Sequence, residues 1–130
     1  MGQIKTFKDI KVWEKSHKLV LLVYRLTKVF PKEEIYGLTS QIRRAAVSIP
    51  ANIAEGFKRN SVHDSLRFYN MSAASLEELK YHLFLSRDLC YIPQQEYVEV
   101  ENLSEEVSKM LSGWIESQSR VLIKADQLIS

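Results

Sequence analysis

The stretch from Tyr36 to Arg59 constrains the fold of this chain more than any other. Its apolar residues recur at spacings of three and four, which is typical of a helix that packs one face on a core. The residues of this face are Leu38, Ile42, Ala45, Ile49, Ile53 and Phe57. The spacing predicts a long core helix over residues 38 to 57.

Pro50 interrupts this helix, because proline offers no N–H to the carbonyl of Ala46 and its ring presses on that turn. One interpretation is a helix that ends at Ile49. The apolar phase continues from Ala51 to Ala54, however, which favours a single bent helix. Gly56 is expected to end it.

A second stripe on the same helix consists of small or short side chains, which allow another backbone to approach closely. Its members are Ser40, Val47, Ala51 and Ala54. We expect this stripe to meet a neighbouring helix, either of the same chain or of another subunit. Arg43 and Arg44 flank it on either side and would edge that contact. They are expected either to bind phosphate or to pair with carboxylates such as Glu55 or Glu77.

The first helix is predicted near residues 8 to 29, with Thr6 as a possible cap and Pro31 beyond its end. Its apolar arc spans about 200° at 100° per residue, roughly twice what a surface helix needs. We therefore expect this helix to be covered on two sides, by its own bundle and by a second copy. Trp13 and Tyr24 would join the oligomer interface, and His17 is expected to pack beside them.

The remaining arc of the first helix is basic, and the whole chain is divided in charge. The basic stripe consists of Lys8, Lys11, Lys15, Lys18 and Arg25. Residues 1–67 carry 13 Lys and Arg against 6 Asp and Glu, whereas residues 68–130 carry 5 against 10. This asymmetry fits either a polyanionic partner or head-to-tail self-association, and an ordinary solvated face remains an alternative for the stripe.

Two further helices complete the predicted architecture. Ser61 and Asp64 have the spacing of a capping box, which predicts a third helix over residues 62 to 89. A fourth, over residues 94 to 128, would follow Pro93. Glycine and proline are scarce, at four and three, and the connections are short. The sequence thus predicts one all-α domain over residues 1–130, an up-down antiparallel four-helix bundle.

Catalytic and metal-binding patterns do not occur in the sequence. The three histidines lie far apart, and there is no Glu-x-x-His pair and no glycine-rich phosphate loop. We expect no enzyme activity, no metal and no cofactor. Cys90 is the one cysteine and is expected to be a buried thiol. No signal peptide or membrane-length apolar run is evident, which predicts a cytoplasmic protein without a membrane partner.

Two long segments carry a family resemblance. They read FKDIKVWEKSHKLVLLVYRLTKVFPKEEIYGLTSQIRRAAVSIPANIAEGFKR and SLEELKYHLFLSRDLCYI. Both resemble the signature of the four helix bundle protein family, the intervening-sequence proteins encoded within bacterial large-subunit ribosomal RNA genes. The accessory protein of diversity-generating retroelements is a relative. Pro93 departs from the family pattern, which often has a helix-capping serine there.

The resemblance implies a homopentameric barrel of four-helix protomers without enzyme activity. It also implies binding of RNA or DNA and, in retroelements, of a reverse transcriptase. We expect the nucleic-acid site to be assembled across subunits from eight cations: Lys8, Lys11, Lys15, Lys18, Arg43, Arg44, Lys58 and Arg59. Because Trp13, Tyr24 and Phe57 fall on apolar faces, binding is expected to be electrostatic, with low sequence specificity. The alternative is a scaffold that binds itself or a reverse transcriptase without contacting nucleic acid.

Overall fold

The computed structural model describes residues 2–129, which form four α-helices and two short 3-10 turns, with no β-strand among them. The helices are α1, Lys11–Thr27; α2, Leu38–Phe57; α3, Val62–Asp88; and α4, Gln94–Ile129. The 3-10 turns are Phe7–Asp9 and Lys32–Glu34. The prediction of an all-α fold with four helices is confirmed, and the predicted bounds of α2 are those observed.

Each helix packs against two others, so that the four close into a bundle. The packed pairs are α1 with α2, α2 with α3, α3 with α4, and α4 with α1. Contacts between α3 and α4 join Tyr69 to Trp114 and Lys80 to Glu105, which requires the two helices to run antiparallel. The arrangement is that of an up-down four-helix bundle.

The core draws on the apolar face of every helix. On α2 the predicted residues Ile42, Ile49 and Ile53 are fully buried. They meet buried side chains from the other helices, including Leu19, Val23, Leu76, Leu79, Val100 and Val107. Burial of one such side chain stabilises the fold by about 1.5–3 kcal/mol relative to its exposure. The residues that the periodicity of α2 predicted as its apolar face therefore lie at the centre of the core.

The first helix begins later than predicted, at Lys11 rather than near Lys8. Ile10 interrupts it, because this residue is buried and extended, with φ −81° and ψ 119°. Thr6 precedes the 3-10 turn instead of α1. The Asp9 carboxylate accepts hydrogen bonds from the N–H groups of Thr6 (3.0 Å) and Lys5 (2.9 Å), which lower the pKa of Asp9. Lys8 consequently lies outside α1.

The predictions for Pro50 and Gly56 of α2 have different outcomes. The helix continues through Pro50, as the single-helix interpretation predicted. The expectation that Gly56 ends the helix is wrong, since Gly56 lies inside α2 and does not have a positive φ. A Cβ at this position would come within 2.5 Å of Tyr69 Cε1. Gly56 instead allows α2 and α3 to approach closely.

The two ends of α3 also differ in how well the sequence described them. Ser61 Oγ accepts a hydrogen bond from the Asp64 N–H at 3.1 Å, which confirms the predicted cap. Beyond the C-terminal end, Cys90 has φ 64° and is exposed, so the expectation of a buried thiol is wrong. Its position in the left-handed turn after the helix points the residue away from the core.

Candidate nucleic-acid interface

The outer surface formed by α1 and α2 carries most of the residues singled out from the sequence, and we call it the α1–α2 face. It consists of Trp13, His17, Leu21 and Tyr24 on α1, of Ser40, Arg43, Arg44, Val47, Ala51 and Ala54 on α2, and of Lys58 directly after α2. Val47 is 41% exposed and Leu21 is 57% exposed, and Ala51 is exposed as well. The six residues predicted for the oligomer interface all belong to this face, which is largely open in the protomer, although Phe7 packs on Trp13. Their role as an interface remains a prediction.

Arg43 is held against α1 by two contacts. Its Nε donates a hydrogen bond to Thr27 Oγ1 at 2.9 Å, and its guanidinium carbon lies 4.7 Å from the centroid of the Tyr24 ring. The Thr27 hydroxyl in turn donates to the carbonyl of Val23 at 2.9 Å. The bond to Thr27 uses one of the five N–H donors of the guanidinium. Arg43 is thus oriented by contacts that leave its charge without a counter-ion.

An open groove of about 500 Å³ lies beside this arginine. Its lining combines two guanidinium groups with hydroxyl and apolar side chains: Tyr24, Ile35, Thr39, Ser40, Arg43, Arg44, Val47 and Ser48. Cations and hydroxyls are the side chains that hold phosphate and sugar oxygens. The groove is therefore suited to an anionic ligand with some apolar surface.

The predicted pairing of Arg43 and Arg44 with carboxylates is wrong. Glu55 contacts Arg59 at 4.0 Å, and Glu77 contacts Lys80 at 3.2 Å. Within residues 2–129, no carboxylate lies within ion-pair distance of either Arg43 or Arg44. Neither guanidinium group therefore has an ion-pair partner in the described part of the chain, although Glu78 lines a surface cavity together with Arg44.

The basic stripe of α1 lies on the other flank of that helix, against α4. Lys15 Nζ is 3.0 Å from Glu106 Oε1, and Arg25 contacts Glu99 at 3.3 Å. Lys18 lies 3.7 Å from Glu14. The acidic α4 thus neutralises part of the basic α1 within one protomer. For this reason the eight predicted cations do not share one face.

The other four predicted cations differ among themselves. Lys8 and Lys58 are exposed, and neither forms an ion pair within the described part of the chain. Arg59 contacts Glu55 at 4.0 Å and Asp64 at 3.9 Å, and its guanidinium carbon lies 4.1 Å from the centroid of the Phe68 ring. Lys11 resembles Lys8 and Lys58, being exposed and without an ion pair in residues 2–129.

Aromatic rings accompany the cations of the α1–α2 face, which the sequence did not predict. The imidazole of His17 stacks on the indole of Trp13, with centroids 5.2 Å apart and planes 6° apart. His17 therefore packs beside Trp13, as expected, although its side chain is exposed. Tyr24 is 40% exposed beneath Arg43. The contact between Trp13 and His17 could have been predicted from the sequence, because residues at i and i+4 are neighbours on a helix surface.

Metal-binding and membrane-spanning features are absent from the described part of the chain. Residues 2–129 contain no group of three or more His, Cys, Asp or Glu side chains that could hold a metal ion. Over the same range, none of the helices combines the length and apolar character that a bilayer crossing requires.

Comparison with known proteins identifies what the chain is similar to. The family model described as 23S rRNA-intervening sequence protein matches residues 8–113, from the first 3-10 turn into α4. A crystal structure of a protein with unknown function from the S23 ribosomal protein family of Bacteroides thetaiotaomicron is 28% identical, with a TM-score of 0.74. The match covers 80% of this chain and 97% of that chain. No curated protein matches the chain.

Proposed function

The chain belongs to the 23S rRNA-intervening sequence protein family, and from that premise we propose that it is a non-enzymatic helical-bundle protein that binds nucleic acid electrostatically. The observation that carries the proposal is the pair Arg43 and Arg44, whose charges have no carboxylate partner within residues 2–129. Arg44 is exposed and Arg43 is partly exposed, and accessible arginines without counter-ions attract phosphates and release condensed cations from them.

The surroundings of the two arginines favour an oxyanion such as phosphate over an isolated chloride. A guanidinium presents a planar fork of N–H donors that matches two phosphate oxygens. Ser40 lines the same groove and adds a hydroxyl to the donors, whereas the Ser48 hydroxyl is hydrogen-bonded to Ser75. One protomer offers few such contacts, so its affinity is expected to be weak. A homo-oligomer would repeat them and gain avidity.

The remaining predicted cations contribute unequally to the proposed site. Lys58, Lys8 and Lys11 are free to meet phosphates. Lys15, Lys18 and Arg59 already contact carboxylates. These carboxylates offset positive charge that a phosphate would otherwise meet, although exposed ion pairs of this kind stabilise by only about 0–1 kcal/mol. We therefore rank the arginine pair and Lys58 above Lys15, Lys18 and Arg59.

Titration of a fluorescently labelled oligonucleotide with the intact protein tests this function. Binding is expected at about 50 mM salt and should weaken steeply by about 200 mM, because phosphate contacts release counter-ions. RNA and DNA of the same sequence should bind within about tenfold of each other, since backbone phosphates carry no base information. Absence of binding to either at the lower salt concentration would refute the proposal.

Exposed apolar residues on the same face favour a second candidate function, a self-associating scaffold. Leu21, Val47 and Ala51 lie uncovered in the protomer, which suits a second copy of the chain. The family resemblance supplies five as the expected number of subunits and a reverse transcriptase as another possible partner. Both candidate functions use the α1–α2 face, but they predict different effects of a substitution there. If the protein is a scaffold, the substitution changes its oligomeric state. If the protein binds nucleic acid, the substitution changes its affinity for nucleic acid.

A further inference from the structure

Arg44 on α2 and Lys58 just beyond its end are separated by an interval without another cation, and the exposed Glu55, which contacts Arg59 at 4.0 Å, lies near the Lys58 end. Arg44 and Lys58 are 14 positions apart, which places both on the same side of the helix about 21 Å from each other at 1.5 Å per residue. Val47, Ala51 and Ala54 occupy the same side between them. A ligand that contacts both cations must therefore cross a stretch of apolar surface.

Aromatic groups of α1 border this interval at both ends. Tyr24 contacts Arg43, next to Arg44. Phe7 contacts Trp13 with ring centroids 4.9 Å apart, and Phe7 lines a surface cavity together with Ala54 and Lys58. The Trp13–His17 stack therefore lies toward the Lys58 end, and the Tyr24–Arg43 stack lies toward the Arg44 end.

From this alternation we propose that the α1–α2 face binds single-stranded nucleic acid, with phosphates at Arg44 and Lys58 and bases stacked on the two pairs Trp13–His17 and Tyr24–Arg43. The proposal rests on the function proposed above and specifies the form of its ligand. An interval of about 21 Å accommodates roughly six phosphates at the B-form spacing of 3.4 Å per strand, and fewer in an extended strand. Positive charge interleaved with exposed rings is typical of single-strand binding surfaces.

Base stacking separates this proposal from purely electrostatic binding. Duplex DNA has one charge per about 1.7 Å of axis, twice that of a single strand, so a site that contacts phosphates alone binds duplex at least as well. The bases of a duplex are already stacked on each other and cannot reach the imidazole of His17 or the guanidinium of Arg43. Preference for the single strand is therefore the signature of the stacking pairs.

The test compares two ligands and three variants by fluorescence anisotropy. The ligands are a mixed-sequence DNA strand of about 12 nucleotides and the same strand annealed to its complement. The double variant His17→Ala and Tyr24→Leu removes the exposed rings. Tyr24→Phe keeps a ring and serves as the conservative variant. Tyr81→Leu removes an exposed tyrosine from α3, outside the α1–α2 face. Circular dichroism and light scattering verify fold and oligomeric state.

We expect intact protein to prefer the single strand, and the double variant to bind it at least about fivefold more weakly while duplex binding changes less than about twofold. Tyr24→Phe and Tyr81→Leu should bind as the intact protein does. Equal losses for single strand and duplex would overturn the stacking proposal and leave electrostatic binding intact. Dissociation of an oligomer by the double variant, with unchanged binding, would overturn it in favour of a second copy on this face. Failure of intact protein to bind either ligand would overturn the underlying function as well.

Discussion

Gly56 on α2 lies directly against the buried ring of Tyr69 on α3. A Cβ built on Gly56 would come 2.5 Å from Tyr69 Cε1 and 3.1 Å from the backbone oxygen of Ser65. Tyr69 is only 2% exposed and has little room to move. The absence of a side chain at this position thus sets the distance between the two helices that pack most extensively on each other.

Replacement of Gly56 by alanine is expected to destabilise the fold by about 1–3 kcal/mol, because the added methyl group overpacks the contact with Tyr69. Gly113→Ala is the matched control. A Cβ at Gly113 meets no atom within 4 Å, and alanine there should stabilise α4 by up to about 1 kcal/mol. Urea unfolding measures both. A Gly56→Ala variant as stable as the original would contradict the close packing.

The N-terminal cap of α3 can be tested with two serines. Ser61→Ala removes the acceptor for the Asp64 N–H and is expected to cost about 1 kcal/mol of stability. Ser112→Ala replaces an exposed serine inside α4 and should be neutral or slightly stabilising. Thermal unfolding followed by circular dichroism compares the two. If both alanine variants unfold at the same temperature, the cap contributes nothing.

Lowering the pH is expected to destabilise the N-terminal 3-10 turn, Phe7–Asp9. The hydrogen bonds from Thr6 and Lys5 hold the pKa of Asp9 below its ordinary value. The stabilisation of the turn is therefore complete above the unfolded-state pKa, about 4, and is lost as the pH falls through the lower folded-state pKa. NMR exchange rates of the Lys5 and Thr6 amides measure this loss. The Asp9→Asn variant has no carboxyl group at this position, so its Lys5 and Thr6 exchange rates should show no change that follows the titration of a carboxyl group.

Ala51→Glu tests whether a second copy covers the α1–α2 face. Ala51 is exposed in the protomer, so glutamate should change protomer stability by no more than about 0.5 kcal/mol. In an oligomer that buries this position, the same change places an unpaired charge at a close contact and should dissociate it. Size-exclusion chromatography with light scattering gives the mass, and thermal melting confirms the fold. An unchanged mass would mean that Ala51 faces solvent.

Local patterns predicted the helices well because the signals that define them lie within a few residues of each other. The apolar spacing of Ile42, Ile49 and Ile53 is enough to place α2 in the core. The break at Ile10 was missed because its extended backbone depends on burial against the bundle, which periodicity does not describe. The apolar periodicity alone therefore placed the start of α1 near Lys8.

The site was harder to predict because its contacts join distant parts of the chain. Sequence indicated that Arg43 and Arg44 are special, but the contact of Arg43 with Tyr24 joins two helices across the loop between them. The partners of Lys15 and Arg25 lie on α4, at Glu106 and Glu99. Charge counting along the chain cannot tell which cations keep a counter-ion once the helices are packed.

The affinity for nucleic acid of two charge-matched double variants tests the central claim most directly. Arg43→Gln with Arg44→Gln removes two cations without ion pairs, whereas Lys15→Gln with Lys18→Gln removes two that contact carboxylates. Both variants lose the same net charge. Anisotropy titrations of a labelled single strand at several salt concentrations give affinity and its salt dependence.

We predict that the arginine variant binds at least about tenfold more weakly, with a salt slope shallower by about 0.7 for each phosphate that it no longer binds. The lysine variant should stay within about threefold of the intact protein, since its carboxylate partners already offset those charges. Equal weakening of both variants would mean that only net charge matters. Weakening of the lysine variant alone would place the site on the α1–α4 flank and contradict the account.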